Sequence, residues 1–127
     1  MNAFKASSNK QMLERAMSNA IVAWVERSNP QLTKDEIVTR AMGLLDAWEV
    51  KNSDLQENGD DWKYYLGVGR PGIVIGPHGE QIDFILKETK KEIGHEFEFH
   101  IAEKKRSDLY WVMDGYFIVR DYNAGCL

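Results

Sequence analysis

The 127-residue sequence predicts an α+β fold, with helices packed on one face of a small sheet, and three patterns predict it. Two early segments repeat apolar residues at helical spacing. Two later ones alternate or turn as half-buried strands do. Between those strands a glycine-bounded loop joins two helical stretches.

Leu13, Met17, Ala20, Ile21 and Trp24 form one apolar stripe, which predicts an amphipathic helix from about Asn9 to Arg27. Asn29-Pro30 ends it, because proline biases the residue before it away from helical angles. Thr33 and Glu36 have capping-box spacing, each side chain placed to accept an amide left over at a helix start. The following helix carries Ile37, Ala41, Leu44, Leu45 and Trp48 on its buried side. Asn58-Gly59 then stands between two β-prone runs, a hairpin signal. In the second run Trp62, Tyr64, Leu66 and Val68 share a face, and Tyr65 points the other way. A short apolar helical turn, a glycine-bounded loop and a helix from Glu80 to about Ile93 come next, with Gly94 placed to end that helix. His95 to Ala102 alternates, with Phe97, Phe99 and Ile101 on one side and Glu96, Glu98 and His100 on the other. Leu109–Val112 and Tyr116–Arg120 read as two short β runs around Asp114-Gly115.

The loop carries the chemistry. Residues 75–82 read Ile75-Gly76-Pro77-His78-Gly79-Glu80-Gln81-Ile82. Glycines without a Cβ let a nucleic-acid backbone come close. Amides at the start of the next helix carry partial positive charge and suit phosphate. Ile75 and Ile82 flank the loop and can floor a groove for unstacked bases.

This octet has the I-G-x-x-G-x-x-I pattern of KH domains. Arg70-Pro71-Gly72-Ile73-Val74-Ile75-Gly76 followed by Gly79-Glu80 resembles the KH segment of the small-subunit ribosomal protein S3 family, and Phe99 to Lys105 is similar to the strand that follows there. The likeness covers about Gly69 to Leu109. It implies a type II KH-like order, α-β-β-α-α-β, with a three-stranded sheet packed on helices over residues 30–105. An extra N-terminal helix over 1–29 and a C-terminal extension over 106–127, expected as a short β hairpin, would flank it. It also implies a groove for about four nucleotides of single-stranded RNA. The implied RNA-binding residues are Arg70, Ile73, Ile75, Gly76, Pro77, His78, Gly79, Ile82, Lys87, Lys104 and Lys105. Between the glycines the family commonly carries basic residues. Here stand Pro77, which has no amide to give, and His78.

Composition shapes the function expected. The net charge is −4, shared evenly between residues 1–60 and 61–127, so no basic tail can draw in RNA from a distance. That balance points away from a stoichiometric ribosomal protein and toward an accessory or regulatory factor touching RNA locally, within or beside a ribonucleoprotein. The lone Cys126 fits a reducing cytoplasm and leaves no thiolate cluster for zinc. Gly67-Val68-Gly69-Arg70-Pro71-Gly72 matches a dinucleotide fingerprint, but Pro77 would fall inside the helix which that fold requires. Glu96, Glu98 and His100 read as a solvated strand face and not as metal ligands. No nucleophile–base pair emerges from the spacing, so neither catalysis nor a cofactor is expected. The competing expectation is a protein-interaction module, a homodimer or partner scaffold, using Trp24, Trp48 or the C-terminal hairpin.

Overall fold

Helix α1 (Asn2–Ser28) begins the chain in the computed structural model, which describes residues 2–104 and 117–120, with side chains over 8–104. It stops at Asn29, whose amide and side-chain Nδ2 both donate to the Val25 carbonyl, at 2.9 and 3.1 Å. Helix α2 (Lys34–Trp48) starts on the expected capping box. Thr33 Oγ1 accepts from the Glu36 amide at 3.3 Å, and Glu36 Oε1 accepts from the Thr33 amide at 2.9 Å. At the far end Glu49 takes a left-handed φ of 55°, and the chain turns into strand β1 (Val50–Asn58).

β1 returns antiparallel as β2 (Asp61–Val68). Asn58 still pairs with Asp61, so the two turn residues are Gly59 and Asp60, one position later than Asn-Gly alone suggests. Gly59, at φ 62°, supplies the positive angle. Trp62, Tyr64, Leu66 and Val68 are buried, as their alternation predicts, whereas β1 buries only Leu55.

A short helix α3 (Pro71–Ile75), a single 3-10 turn (Pro77–Gly79) and helix α4 (Glu80–Ile93) lead to strand β3 (Glu98–Glu103). Gly94 closes α4 at φ 67°. β3 lies parallel to β2, which requires the intervening helices to cross over one face of the sheet. The order α2-β1-β2-α3-α4-β3 is the α-β-β-α-α-β series that the sequence implies.

The sheet has a fourth strand. β4 (Phe117–Arg120) pairs antiparallel with β3, giving the order β1-β2-β3-β4. The run Leu109–Val112, expected as its hairpin partner, lies outside the described residues, as does Lys105. The expected C-terminal β segment therefore extends the sheet beyond β3.

α1 runs along α4, and Leu13, Met17, Ala20, Ile21 and Val25 join one apolar cluster with Ile82 and Ile85 of α4 and with Tyr64, Phe99 and Ile101 of the sheet. Each fully buried side chain of this size contributes about 1.5–3 kcal/mol relative to exposure. The cluster fixes the place of α4 and thus of the loop in front of it. Glu14 ties α1 to the sheet by accepting from Ser53 Oγ at 2.6 Å and Tyr64 Oη at 2.7 Å. Among the described residues no helix is long and apolar enough to cross a membrane.

Candidate nucleic-acid interface

The loop Gly76-Pro77-His78-Gly79 is a built turn. Gly76 sits at φ 77° and ψ 172°, a region open essentially to glycine alone. A Cβ placed there would stand 2.8 Å from Gln81 Cβ, closer than carbon atoms tolerate. His78 and Gly79 follow in left-handed conformations, at φ 58° and 73°. Histidine is among the few side chains that visit this region with any frequency. Pro77 and His78 are exposed at the tip, and Gly79 is buried beneath it.

The turn occupies amides that the sequence assigns to phosphate. The Gly76 amide donates to Gly72 O at 3.0 Å, that of Gly79 to Gly76 O at 3.2 Å, and that of Glu80 to Pro77 O. Gly76 and Gly79 thus shape the loop and permit close approach without offering free donors. Gly79 also has no side chain with which to cap α4. The first-turn amides beyond Glu80 receive no cap like the one Thr33 gives α2. Two carboxylates, Glu80 and Asp83, stand in that same turn. They favour the helix dipole but oppose an incoming phosphate.

Gln81 is the residue that sequence reasoning missed. Its side chain is buried, and Nε2 donates to the carbonyls of Ile73 at 2.8 Å and Val74 at 3.0 Å. These are carbonyls of α3, so Gln81 clamps the helix before the loop to the helix after it. The signal was present: Gln81, Ile82, Ile85, Leu86 and Thr89 make up the buried stripe of α4, and a polar residue on such a stripe needs a partner.

The remaining candidates divide. Ile82 has no exposed surface and Ile75 is 7% exposed, so they back the groove from within the core instead of lining it. Ile73 is half-buried and packs on that core. Arg70 precedes α3, and its Nε lies 3.2 Å from Glu49 Oε2, with the pair well exposed. Gly69 is what lets Glu49 approach, since a Cβ there would meet the Glu49 carboxylate. Lys87 is exposed on α4 and lines a groove with Trp24, Arg27, Glu80 and Phe84. Lys104 leaves β3 with its amide donating to Val68 O at 2.7 Å. Tyr65 is half-buried and stacks on His100, with ring centroids 4.7 Å apart.

No family model matches the chain. Among curated proteins it resembles the small ribosomal subunit protein uS3 of several bacteria. It is 46% identical over 44 residues to that of Anaplasma phagocytophilum, covering 35% of this chain and 21% of the relative. Against the Lawsonia intracellularis protein it is 30% identical over 66 residues, 52% of this chain and 31% of the relative. The Cytophaga hutchinsonii protein matches at 34% over 59 residues, 46% and 23% respectively. The chain thus spans between a fifth and a third of the length of these curated relatives. The likeness to the S3 family read from residues 69–109 stands.

Proposed function

We propose that the chain is a non-catalytic RNA-binding protein of the cytoplasm that holds single-stranded RNA at the GPHG turn, as an accessory or regulatory factor of a ribonucleoprotein. Residues 30–105 act as the KH unit, and α1 braces α4 from outside. The observation that carries this reading is the turn itself. Two glycine positions hold a tight reversal at the uncapped start of α4, in a chain of which a third to a half is similar to small ribosomal subunit protein uS3. Gly76 and Gly79 let the RNA backbone approach. His78 and the uncapped first-turn amides meet phosphate, Pro77 and Ile73 contact the strand, and Arg70, Lys87, Lys104 and Lys105 supply positive charge around it. Ile75 and Ile82 keep the groove floor rigid from below. With amides occupied inside the turn and Glu80 and Asp83 beside it, affinity is modest.

Replacing Pro77 and His78 together by aspartate tests this. The variant should keep its circular dichroism spectrum and lose retention of single-stranded RNA in moderate salt. Equal retention by the variant and the parent would sink the proposal. With about three phosphate contacts on a single strand, log affinity should fall against log salt with a slope near −2.

One observation favours the rival protein-interaction module. Val38 and Met42, one turn apart on α2, are 48% and 61% exposed. Under the RNA reading Met42→Lys leaves sedimentation and RNA retention unchanged. A shift to a lighter species would favour the rival.

A further inference from the structure

A groove between the C-terminal end of α1 and the outer face of α4 has a chemistry distinct from the loop. It encloses about 480 Å³ and is lined by Trp24, Arg27, Ser28, Glu80, Asp83, Phe84 and Lys87. That volume lies within the range of small-molecule clefts, about 300–1,000 Å³. Glu80, Asp83, Phe84 and Lys87 are one stripe of α4, at i, i+3, i+4 and i+7, opposite the stripe that packs into the core. The groove therefore begins at the residue directly after the GPHG turn.

Its wall is aromatic and cationic at once. The Trp24 and Phe84 rings meet at 5.5 Å, tilted by 50°. The Arg27 guanidinium stands 5.1 Å from the Phe84 centroid and 5.9 Å from that of Trp24. The two rings are tilted and share no plane, but they back the exposed Arg27 guanidinium, and unstacked bases stack on guanidinium planes as they do on aromatic rings. Opposite charges balance across the groove: Arg27 and Lys87 against Glu80 and Asp83. Among the described residues none of these four forms an ion pair. A groove with no net charge does not select a phosphate. A flat guanidinium and carboxylates without an ion-pair partner select a planar ring that carries hydrogen-bond donors.

We infer that this groove is a nucleobase subsite that prefers guanine. Among the four bases only guanine presents two adjacent donors, N1–H and the N2 amino group, which one carboxylate can accept together. Uracil offers a single N–H between two carbonyl oxygens, which the carboxylates would repel. Asp83 or Glu80 accepts from the base edge, the exposed Arg27 guanidinium, backed by Phe84 and Trp24, stacks on its face, and Lys87 is left for a neighbouring phosphate. The inference rests on the RNA reading for the source of the base, and on the groove alone for its chemistry.

Titration of the full chain with guanosine monophosphate and, separately, uridine monophosphate tests this, because the two share a phosphate and differ in the base. Amide and indole NMR signals report binding, with the Trp24 indole assigned through Trp24→Phe. Guanosine monophosphate should shift the Trp24 and Arg27 signals, and uridine monophosphate should bind about tenfold more weakly. Glu80→Gln combined with Asp83→Asn should erase that preference while the rest of the spectrum is kept. Arg27→Gln, an exposed change, should weaken the guanosine nucleotide as a second arm. Equal response to both nucleotides, a preference that survives the double variant, or no response at Trp24 would overturn the subsite. A guanosine response in a chain that retains no single-stranded RNA would support the subsite and contradict the RNA reading. Retention through the GPHG turn with a silent Trp24 would remove the subsite alone.

Discussion

Two helix starts in this protein solve the same problem in opposite ways. At α2 the leftover amides are met by side chains of the chain itself, in the reciprocal pair of Thr33 and Glu36. At α4 the residue in the capping position is Gly79, which has no side chain to offer, and the preceding turn bonds its own backbone. A helix start closed by its own side chains has finished its chemistry. One held open by glycine is stabilised elsewhere, here by the Gln81 clamp and the buried stripe behind it, and keeps its front face clear.

The difference can be broken from either side. The largest effect should come from Gly76→Ala. It forces a Cβ against Gln81 and a backbone region reserved for glycine, and should cost on the order of 2–3 kcal/mol in urea unfolding, with RNA retention lost. Gln81→Leu leaves the Ile73 and Val74 carbonyls without their donor and should cost about 1–3 kcal/mol. Its RNA affinity should fall with the loosened loop, although Gln81 touches no RNA. Thr33→Ala should cost about 1 kcal/mol and leave RNA retention unchanged. A loss of retention there would mean the two helix starts are not independent.

A smaller effect should appear as a pH dependence. The Glu36 carboxyl is held below the usual glutamate range, first by the Thr33 backbone amide, then by the Thr33 side chain, with Arg40 adding a lesser attraction. A carboxyl whose folded value is lowered contributes its stability in full above its unfolded value. That contribution fades as the pH falls through the lowered folded one. Stability of the parent should therefore decline on the acid side more steeply than that of Glu36→Gln, which has no carboxyl to protonate.

Most of the framework was legible because it rests on local rules. The stripes of α1 and α2, the capping box, the alternation of β2 and the close of α4 at Gly94 are each set by a few neighbouring residues. Strand β1 was harder to read. Only Leu55 of its nine residues is buried, so its pairing with β2 and not its pattern makes it a strand. The octet placed the turn correctly in sequence. It could not say which amides the turn would occupy, because that depends on ψ at Gly76 and φ at His78. Nor does helical periodicity alone reveal that Ile82 lies wholly inside the core, or that Trp24 and Phe84 meet across two helices 60 residues apart in the chain.

The measurement that bears most directly on the contrast is an amide-by-amide NMR titration of the full chain with a short single-stranded RNA. Shifts should concentrate between Gly76 and Ile82, with Thr33 to Ile37 silent although both stretches open a helix. A silent loop, or an equal response at the Thr33 start, would contradict the contrast.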